Sequence, residues 1–326
     1  MDFKNHPLMD FENAKSQFLE FSQAFQSDDD RNQFFEWMRD TAIPEFMLAR
    51  TSGHNPEEGE EMLNRIAGDI RSQMPLEAVL KSETIVYPTV GEDASLNSSN
   101  CVHVDAFLYD EDGEEALVQE GLLSRSYCAD CGSRNIEDLT FTTHSCSKAR
   151  LRHIFSMLPS LAGKTLVDIG SRIGAVLWGA YCYSQAAKIV GVEINGDLCS
   201  LQRAVVEKYR LADRISVVEG DMCGLAETIK AGDVVVLNNV FDWFMAPDVQ
   251  VQMWRFLRAT LSPGALIVTI PSLETSLEPL DTGIDLNTWV RPFPSANGSH
   301  ATSSNGMESD DQVETSEVCL YQILGS

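Results

Sequence analysis

Acidic residues stand at the ends of three short apolar segments in the second half of the chain. Asp168 follows "TLV", Glu193 ends "AKIVGVE", and Asp221 follows "RISVVEG". Apolar runs of this length, rich in Val, Ile and Leu, are typical of parallel strands covered on both faces. Open α/β sheets bind ligands at the carboxyl ends of such strands. The pattern therefore predicts carboxylates at one sheet edge, where they can accept hydrogen bonds from ammonium and hydroxyl groups.

A glycine-containing turn follows the first of these segments. In "DIGSRIG", Gly170 and Gly174 flank Ser171 and Arg172. A dinucleotide loop needs a glycine where Arg172 stands, because the backbone must approach a pyrophosphate there. The "GKT" at 163–165 precedes the strand and so does not match a phosphate loop. A ligand with an amino-acid end and no pyrophosphate fits this turn better, since a helix N-terminus can face its carboxylate, and a dinucleotide stays the second alternative.

Paired amides end the fourth apolar segment, "DVVVLNN". A side-chain amide at Asn238 or Asn239 can accept a hydrogen bond from a substrate N–H while its NH₂ donates elsewhere. The aromatic residues Phe241, Trp243 and Phe244 follow at once, and they would either wall a flat or cationic substrate or pack in the core. We take Asn238, Asn239 and Phe241 as the candidate catalytic residues.

Strand-like and helical segments alternate from residue 151 onward. The helical segments are 173–186, 195–211, 222–230 and 247–261. Alternation with short loops predicts a doubly wound, mostly parallel sheet. "NTWVRPF" and "EVCLYQIL" add a sixth and a seventh strand, and the polar residues 295–316 form a low-complexity insertion between them.

The first 150 residues are expected to differ from this domain. Apolar residues at three- and four-residue spacing predict helices over 1–82, and residues 83–150 read as a linker and cap segment. The expected fold class is α/β: a doubly wound, mostly parallel, seven-stranded sheet in a domain at 151–326, with an N-terminal helical cap region.

Four residues of the cap segment have spacing that could hold a metal. Cys128 and Cys131 form a C-x₂-C half-site, and His144 and Cys146 follow at a plausible distance. Zinc in a tetrahedral Cys₃His site would fit this count. The alternative is a turn with packed thiols, or a segment over the mouth of the ligand site.

Composition restricts the class of partner. The chain has 326 residues with 24 basic and 49 acidic side chains, a formal net charge of −25. Nucleic acid is disfavoured, because phosphate binding needs clustered Lys and Arg, and a basic protein or peptide suits this charge better. We expect Cys182 and Cys199 to be reduced and buried on helices. With no apolar run of membrane-spanning length and no signal-peptide pattern, a cytoplasmic or nuclear protein is expected.

Four motifs on successive strands carry a family resemblance. "VDIGSRIG", "GVEI", "VVEGDM" and "VVVLNNVF" resemble, in order and spacing, those of the class I, seven-stranded S-adenosylmethionine-dependent methyltransferases. The resemblance covers roughly residues 150–325 and is locally most similar to the non-SET histone lysine methyltransferases. It implies that Asp168 binds the ammonium end of the cofactor, Glu193 the ribose, and Asp221 and Met222 the adenine. The full implied cofactor-binding set is Asp168, Gly170, Ser171, Arg172, Gly174, Glu193, Asp221, Met222 and Asn238.

The resemblance sets the functional expectation. It implies methyl transfer from S-adenosylmethionine, and we expect a nitrogen acceptor on a protein or peptide. A small molecule or an RNA base are the alternative acceptors. A catalytically silent, methyltransferase-like scaffold is the rival from another class, favoured by Arg172 in the loop and by the lack of a D/N-P-P-[YFW] tetrapeptide. The arginine could instead meet the carboxylate of the cofactor or an acidic substrate group.

Overall fold

The chain divides into two compact units. The computed structural model describes residues 11–22, 24–25, 27–39, 56–128, 136–294 and 317–324. One unit is Met1–Phe46 and the other Met47–Ser326. In the smaller unit, α1 (Phe11–Ser22) and α2 (Asp28–Trp37) are joined by ring contacts. Phe34 lies 5.4 Å from Phe21 and 5.1 Å from Phe25 between ring centroids.

The larger unit contains the sheet and the helices around it. In chain order its described residues form α3 (Pro56–Arg71), β1 (Cys101–His103), α4 (Glu111–Gln119), β2 (Ser126–Cys128), β3 (Ile136–Asp138), β4 (Thr140–Thr142), α5 (Lys148–Met157), β5 (Thr165–Ile169), α6 (Ala175–Tyr183), β6 (Lys188–Glu193), α7 (Gly196–Tyr209), β7 (Ile215–Glu219), α8 (Ala226–Lys230), β8 (Val234–Asn238), α9 (Pro247–Thr260), β9 (Leu266–Ile270), α10 (Leu273–Leu277), α11 (Leu286–Trp289), β10 (Val290–Pro292) and β11 (Cys319–Ile323). Short 3₁₀ helices lie at Glu92–Ser95 and Met222–Gly224.

Seven strands form one sheet in the order β10-β11-β9-β8-β5-β6-β7. The strands from β9 to β7 pair in parallel, whereas β11 runs antiparallel to both β9 and β10. The predicted doubly wound, mostly parallel, seven-stranded sheet is confirmed. After β7 the chain returns to the other side of β5, so the strand order reverses between β5 and β8. Open sheets of this kind bind ligands at such a switch point.

The strands have one apolar layer on each face. Adjacent residues of a strand point to opposite faces, and Leu166 and Val236 lie in one buried cluster while Val167 and Val235 lie in the other. Burying one such side chain fully stabilises the fold by about 1.5–3 kcal/mol. This two-sided burial explains why the strand sequences are almost continuously apolar.

Some helices differ in position or extent from those predicted. The third N-terminal helix, α3, lies in the larger unit, where Leu63, Ile66 and Ile70 are fully buried. The expected helix at 222–230 is divided into a 3₁₀ turn and α8. The predicted insertion at 295–316 lies outside the described residues. No helix in the described part of the chain has the length and apolar character needed to cross a membrane.

Candidate functional site

Asp168 is a buried carboxylate near the carboxyl end of β5, an inner strand of the sheet. Its exposed fraction is 3%. Burial raises its pKa well above the ordinary value, and the nearby charge of Glu193 raises it further. Among the described residues, no side chain forms a hydrogen bond or an ion pair with this carboxylate. A buried acid without a cation is costly to ionise, and such groups concentrate at binding sites.

Glu193 ends the neighbouring strand β6 and is held by backbone amides. Its carboxylate accepts hydrogen bonds from the N–H groups of Arg172 and Asn195, each at 2.8 Å. Burial nevertheless raises the pKa of Glu193, because it outweighs these hydrogen bonds, which act in the opposite direction. Asp168 and Glu193 thus lie on neighbouring strands at the predicted edge, and the charge of Glu193 disfavours ionisation of Asp168.

The glycine turn between β5 and α6 is tight at both of its glycines. Gly170 has φ +71° and Gly174 has φ +85°, in the left-handed region that glycine adopts without strain. A Cβ at Gly170 would lie 2.2 Å from Cγ2 of Val240, and a Cβ at Gly174 would lie 2.5 Å from the ring of Trp178. Glycine at 170 therefore lets the turn pass close to Val240 after β8, and glycine at 174 lets it pass close to Trp178 of α6.

Gln202 of α7 supports this turn and was not predicted. The hydroxyl of Ser171 donates to Gln202 Oε1 at 2.9 Å, and Gln202 Nε2 donates to the carbonyl of Arg172 at 2.6 Å. Gln202 is fully buried. The available sequence signal was a glutamine between Leu198 and Val205 on the buried face of a helix, since a buried amide requires partners.

Arg172 is paired within the protein, whereas its guanidinium was expected to meet the carboxylate of the cofactor or an acidic substrate group. Its Nε lies 3.0 Å from Oε1 of Glu83, and its Nη1 lies 3.1 Å from Oδ2 of Asp105. Its Nη2 donates to the carbonyl of Ala78. All three charged side chains are buried. The arginine therefore joins the turn to two earlier parts of the chain, and neither acidic partner was predicted.

Residues 78–93, here called the covering segment, lie along the carboxyl edge of the sheet. Next to β6, the Nδ2 of Asn195 donates to the hydroxyl of Ser82 at 3.2 Å. Beyond β8, the N–H of Val86 donates to the carbonyl of Trp243 at 2.8 Å. The segment thus contacts residues that follow β6 and β8, and the ion pair of Arg172 with Glu83 holds it to the turn after β5.

The three aromatic residues after β8 mostly pack in the interior. Phe241 is 2% exposed and meets Trp254 edge-on, with ring centroids 5.2 Å apart. Trp243 is fully buried, and its Nε1 donates to Asp93 at 3.1 Å. Phe244 is half-buried. For Phe241 and Trp243 the arrangement favours the core alternative over an open aromatic wall.

Two histidines from the cap segment lie beside Trp243. Nε2 of His144 and Nδ1 of His103 are 2.9 Å apart and share a hydrogen bond. Burial lowers the pKa of His103, and it lowers that of His144 further; the charge of Arg172 acts in the same direction. The pair is therefore expected to stay neutral near pH 7, and His103 was not predicted.

The zinc prediction gains no support. Cys131 lies outside the described residues, so the C-x₂-C half-site, which begins with Cys128, is not described in full. Cys146 is fully buried and His144 is hydrogen-bonded to the other histidine. Within the described ranges, no group of three His, Cys, Asp or Glu side chains could hold a metal ion.

The remaining predicted residues lie at the ends of β7 and β8. Asp221 is exposed and accepts a hydrogen bond from the N–H of Cys223 at 2.8 Å, so it caps a 3₁₀ turn. Met222 is buried in the core. Asn238 is half-buried as the last residue of β8. Asn239 adopts φ +43° and lines a cavity between the ends of β8 and β9.

Comparison with known proteins finds structural matches only. No protein-family model and no curated protein matches the chain. An RNA methyltransferase from Salinibacter ruber, solved with S-adenosyl-L-homocysteine, is 21% identical, covers 50% of this chain and 82% of its own, and has a TM-score of 0.31. Precorrin 8w decarboxylase from Methanobacterium thermoautotrophicum is 17% identical, with 56% and 92% coverage and a TM-score of 0.37.

A third match is the precorrin-6y C5,15-methyltransferase from Geobacter metallireducens. It is 14% identical, covers 54% of this chain and 87% of its own, and has a TM-score of 0.36. The strand order of this chain, with the reversed strand β11 between β9 and β10, is a Rossmann-like arrangement.

Proposed function

We propose that the protein is an S-adenosylmethionine-dependent methyltransferase. The observation that carries the proposal is the carboxylate of Asp168, buried at the switch point beside Glu193, with no cation partner among the described residues. A positively charged ligand group at this place would remove the electrostatic cost of the buried charge. The ammonium end of an amino-acid-bearing cofactor supplies such a group.

The site residues fit this cofactor in type. Asp168 would receive its ammonium group, and Glu193 would accept hydrogen bonds from its ribose hydroxyls. The helix α6 begins directly after Gly174, so its free N–H groups favour a carboxylate nearby. Asp221 and Met222, at the end of β7, would lie at the adenine. When bound, the cofactor supplies a methyl group on a positively charged sulfur.

The acceptor we propose is a nitrogen on a protein or peptide. The net charge of −25 attracts a basic partner and repels nucleic acid. Asn239 supports a nitrogen acceptor, because the buried Oδ1 of its side chain has no hydrogen-bond partner and could accept one from a substrate N–H. Cys182 and Cys199 are buried and form no disulfide, which supports a reducing, cytoplasmic or nuclear location.

A catalytically silent scaffold is the second candidate. Asp168 and Glu193 are 3% and 6% exposed, and Arg172, in the turn between β5 and α6, is ion-paired with Glu83 of the covering segment. In a scaffold this closed arrangement would persist, and no ligand would reach either carboxylate.

Calorimetric titration with S-adenosylmethionine separates the two candidates. We expect binding by the wild type, loss of binding in Asp168→Ala, and at least about tenfold weaker binding in Glu193→Ala, since one charged hydrogen bond contributes about 1.5–3 kcal/mol. Asp233→Ala is the matched control, because Asp233 precedes β8 at the opposite edge of the sheet. No binding by the wild type at millimolar cofactor would overturn the proposal.

A further inference from the structure

The two helices of the smaller unit carry most of the exposed large apolar side chains in the described part of the chain. Eight such side chains are exposed among the described residues, and five of them lie on α1 and α2. These five are 37–52% exposed: Phe18, Leu19, Phe21, Phe35 and Trp37. Single exposed apolar residues are ordinary, whereas a group of them is typical of a surface that binds another molecule.

Aromatic rings connect the two helices. Phe34 of α2 lies 5.4 Å from Phe21, 5.1 Å from Phe25 and 5.6 Å from Trp37 between ring centroids. Phe18 lies 6.0 Å from Phe35. The aromatic face is the surface formed by the side chains that share these contacts: Phe18, Phe21, Phe25, Phe34, Phe35 and Trp37. Although its rings contact one another, Phe21 and Trp37 each remain 50% exposed.

These ring contacts leave both helices short of buried surface. No residue of α2 is buried. The helices have 12 and 10 residues. Helices of this length are marginal in water by themselves, because most helical stability in proteins comes from packing an apolar face. A molecule that covers the aromatic face would therefore stabilise both helices.

The charges beside the aromatic face are mainly acidic. Glu20 and Glu36 are exposed, and each stands in the sequence between two of the exposed apolar side chains. α2 begins with three further acidic residues, at 28–30. The two helices contain only two basic residues, Lys15 and Arg31, and Arg31 is ion-paired with the first of these aspartates at 2.8 Å. A second copy of this chain or an anionic lipid surface would bring like charges together here, whereas a basic partner would bring opposite charges together.

We propose that the aromatic face binds an amphipathic, basic helix of a partner protein. Its apolar side chains, at the spacing i, i+3, i+4 and i+7, would cover the rings. Its lysine and arginine side chains would lie beside Glu20, Glu36 and the first turn of α2. A helix suits this surface because α1 and α2 are joined by ring contacts, and a third helix can bury the apolar side that two helices leave open. The binding needs no cofactor and is separate from the proposed methyl transfer.

Trp37 gives a selective signal for the test. The chain has five tryptophans, and the other four are at most 4% exposed: Trp178, Trp243, Trp254 and Trp289. Acrylamide therefore quenches mainly the fluorescence of Trp37 in the full-length protein. The probe is a leucine–lysine peptide of about 18 residues, or five helical turns, with its leucines at i, i+3, i+4 and i+7. We expect it to shield Trp37 from acrylamide in a saturable manner.

Two peptides separate the helical apolar stripe from net charge. A peptide of the same composition with its leucines scrambled keeps the charge but has no apolar stripe, and it should shield Trp37 little. A leucine–glutamate peptide keeps the stripe but is repelled by the acidic residues, and it should also shield little. Equal shielding by the scrambled peptide would show that charge alone drives binding, and equal shielding by the glutamate peptide would exclude a basic partner.

Variants of the full-length protein locate the binding surface. Phe18→Gln should weaken binding of the leucine–lysine peptide about five- to tenfold, because part of the apolar contact is lost. Leu122→Gln is the matched control, since Leu122 is also exposed but lies in the larger unit, and it should not change binding. Equal effects of the two variants would contradict the proposal.

Reversal of charge tests the acidic residues independently of the rings. Glu20→Lys combined with Glu36→Lys should weaken peptide binding at least about tenfold at low salt and much less in 0.5 M salt, where charges are screened. An unchanged affinity at low salt would remove the basic partner. If Phe18→Gln does not fold, this variant and the peptide comparison decide.

Other occupants of the aromatic face give different results. Protection of Trp37 in the free protein at every concentration would show that another part of this chain covers the face. Protection that rises with protein concentration would indicate a second copy. Shielding by phosphatidylserine vesicles but not by the leucine–lysine peptide would indicate a lipid surface. Each of these results, or the absence of any shielding by that peptide, would overturn the proposal without affecting the titration with S-adenosylmethionine.

Discussion

At the scale of single residues, Asp168 is placed where an acid is costly for the fold. Its carboxylate is buried beside Glu193, and burial raises its pKa well above 3.8. The folded protein therefore holds this proton more tightly than the unfolded chain does. The contribution of Asp168 to stability is present below its ordinary pKa and is lost as the pH rises through its native pKa.

We predict that Asp168→Asn stabilises the protein at neutral pH. The gain in free energy of unfolding should be about 1–2 kcal/mol, because an unpaired buried charge is replaced by a neutral amide. It should diminish as the pH falls toward the ordinary pKa of aspartate. Urea unfolding between pH 5.5 and 8 measures it.

Asp233→Asn serves as the control of opposite sign. A hydrogen bond from Lys164 and one from the N–H of Thr165 lower the pKa of Asp233, more than burial raises it. Its removal should therefore destabilise the protein at neutral pH. If Asp168→Asn is no more stable than wild type at pH 8, the ionised carboxylate of Asp168 does not lower the free energy of unfolding.

At the scale of elements, the ion pairs of Arg172 connect the glycine turn to the covering segment and to the residues after β1. Glu83 and Asp105 are 5% and 1% exposed at their side chains, so neither carboxylate has water to replace the guanidinium. Removing one member of a buried pair leaves an uncompensated charge, and this is costlier than losing a surface pair.

We predict that Arg172→Met lowers the free energy of unfolding by about 3–5 kcal/mol. Adding Glu83→Gln and Asp105→Asn should restore part of the loss, because the stranded charges are then removed. Arg203→Met, which breaks the half-exposed pair with Glu219, should cost less than about 1 kcal/mol. Equal losses in the two arginine variants, measured by urea unfolding, would show that the Arg172 cluster does not hold the segment.

At the scale of the whole molecule, the excess of 49 acidic over 24 basic residues acts on any approaching partner. Such a field raises the rate at which a cationic partner associates, and salt screens it over about 10 Å at 0.1 M ionic strength. This field therefore favours a partner segment rich in basic residues.

We predict that a peptide with lysines flanking its central residue associates at least about tenfold more slowly in 0.5 M salt than in 0.02 M salt. A serine-flanked peptide of the same length should show little salt dependence, and a glutamate-flanked peptide should bind weakest at low salt. Stopped-flow fluorescence measures the rates. Salt-independent association of the lysine-flanked peptide would exclude electrostatic steering.

Part of the site was predictable because the end of an apolar run in the sequence marks the end of a strand. An apolar strand pattern with an acid at its end places that acid at the carboxyl edge, and in the structure Asp168 and Glu193 lie at the carboxyl ends of neighbouring parallel strands. The need for glycine at 170 was visible for the same reason, since the turn follows directly. The supporting residues Gln202, Glu83 and Asp105 were not predicted, because each meets the turn from a distant part of the chain.

The sequence by itself determined the sheet and the position of its acidic edge, because the period and length of apolar runs are local properties. Only the tertiary structure decided the partners of Arg172, the burial of Phe241 and Trp243, and the cavity joining Asn239 to Thr269 and Trp254. Those features depend on which side chains meet across β8, β9 and α9. No local pattern specifies such contacts, since they follow from how the packed elements fill the space between them.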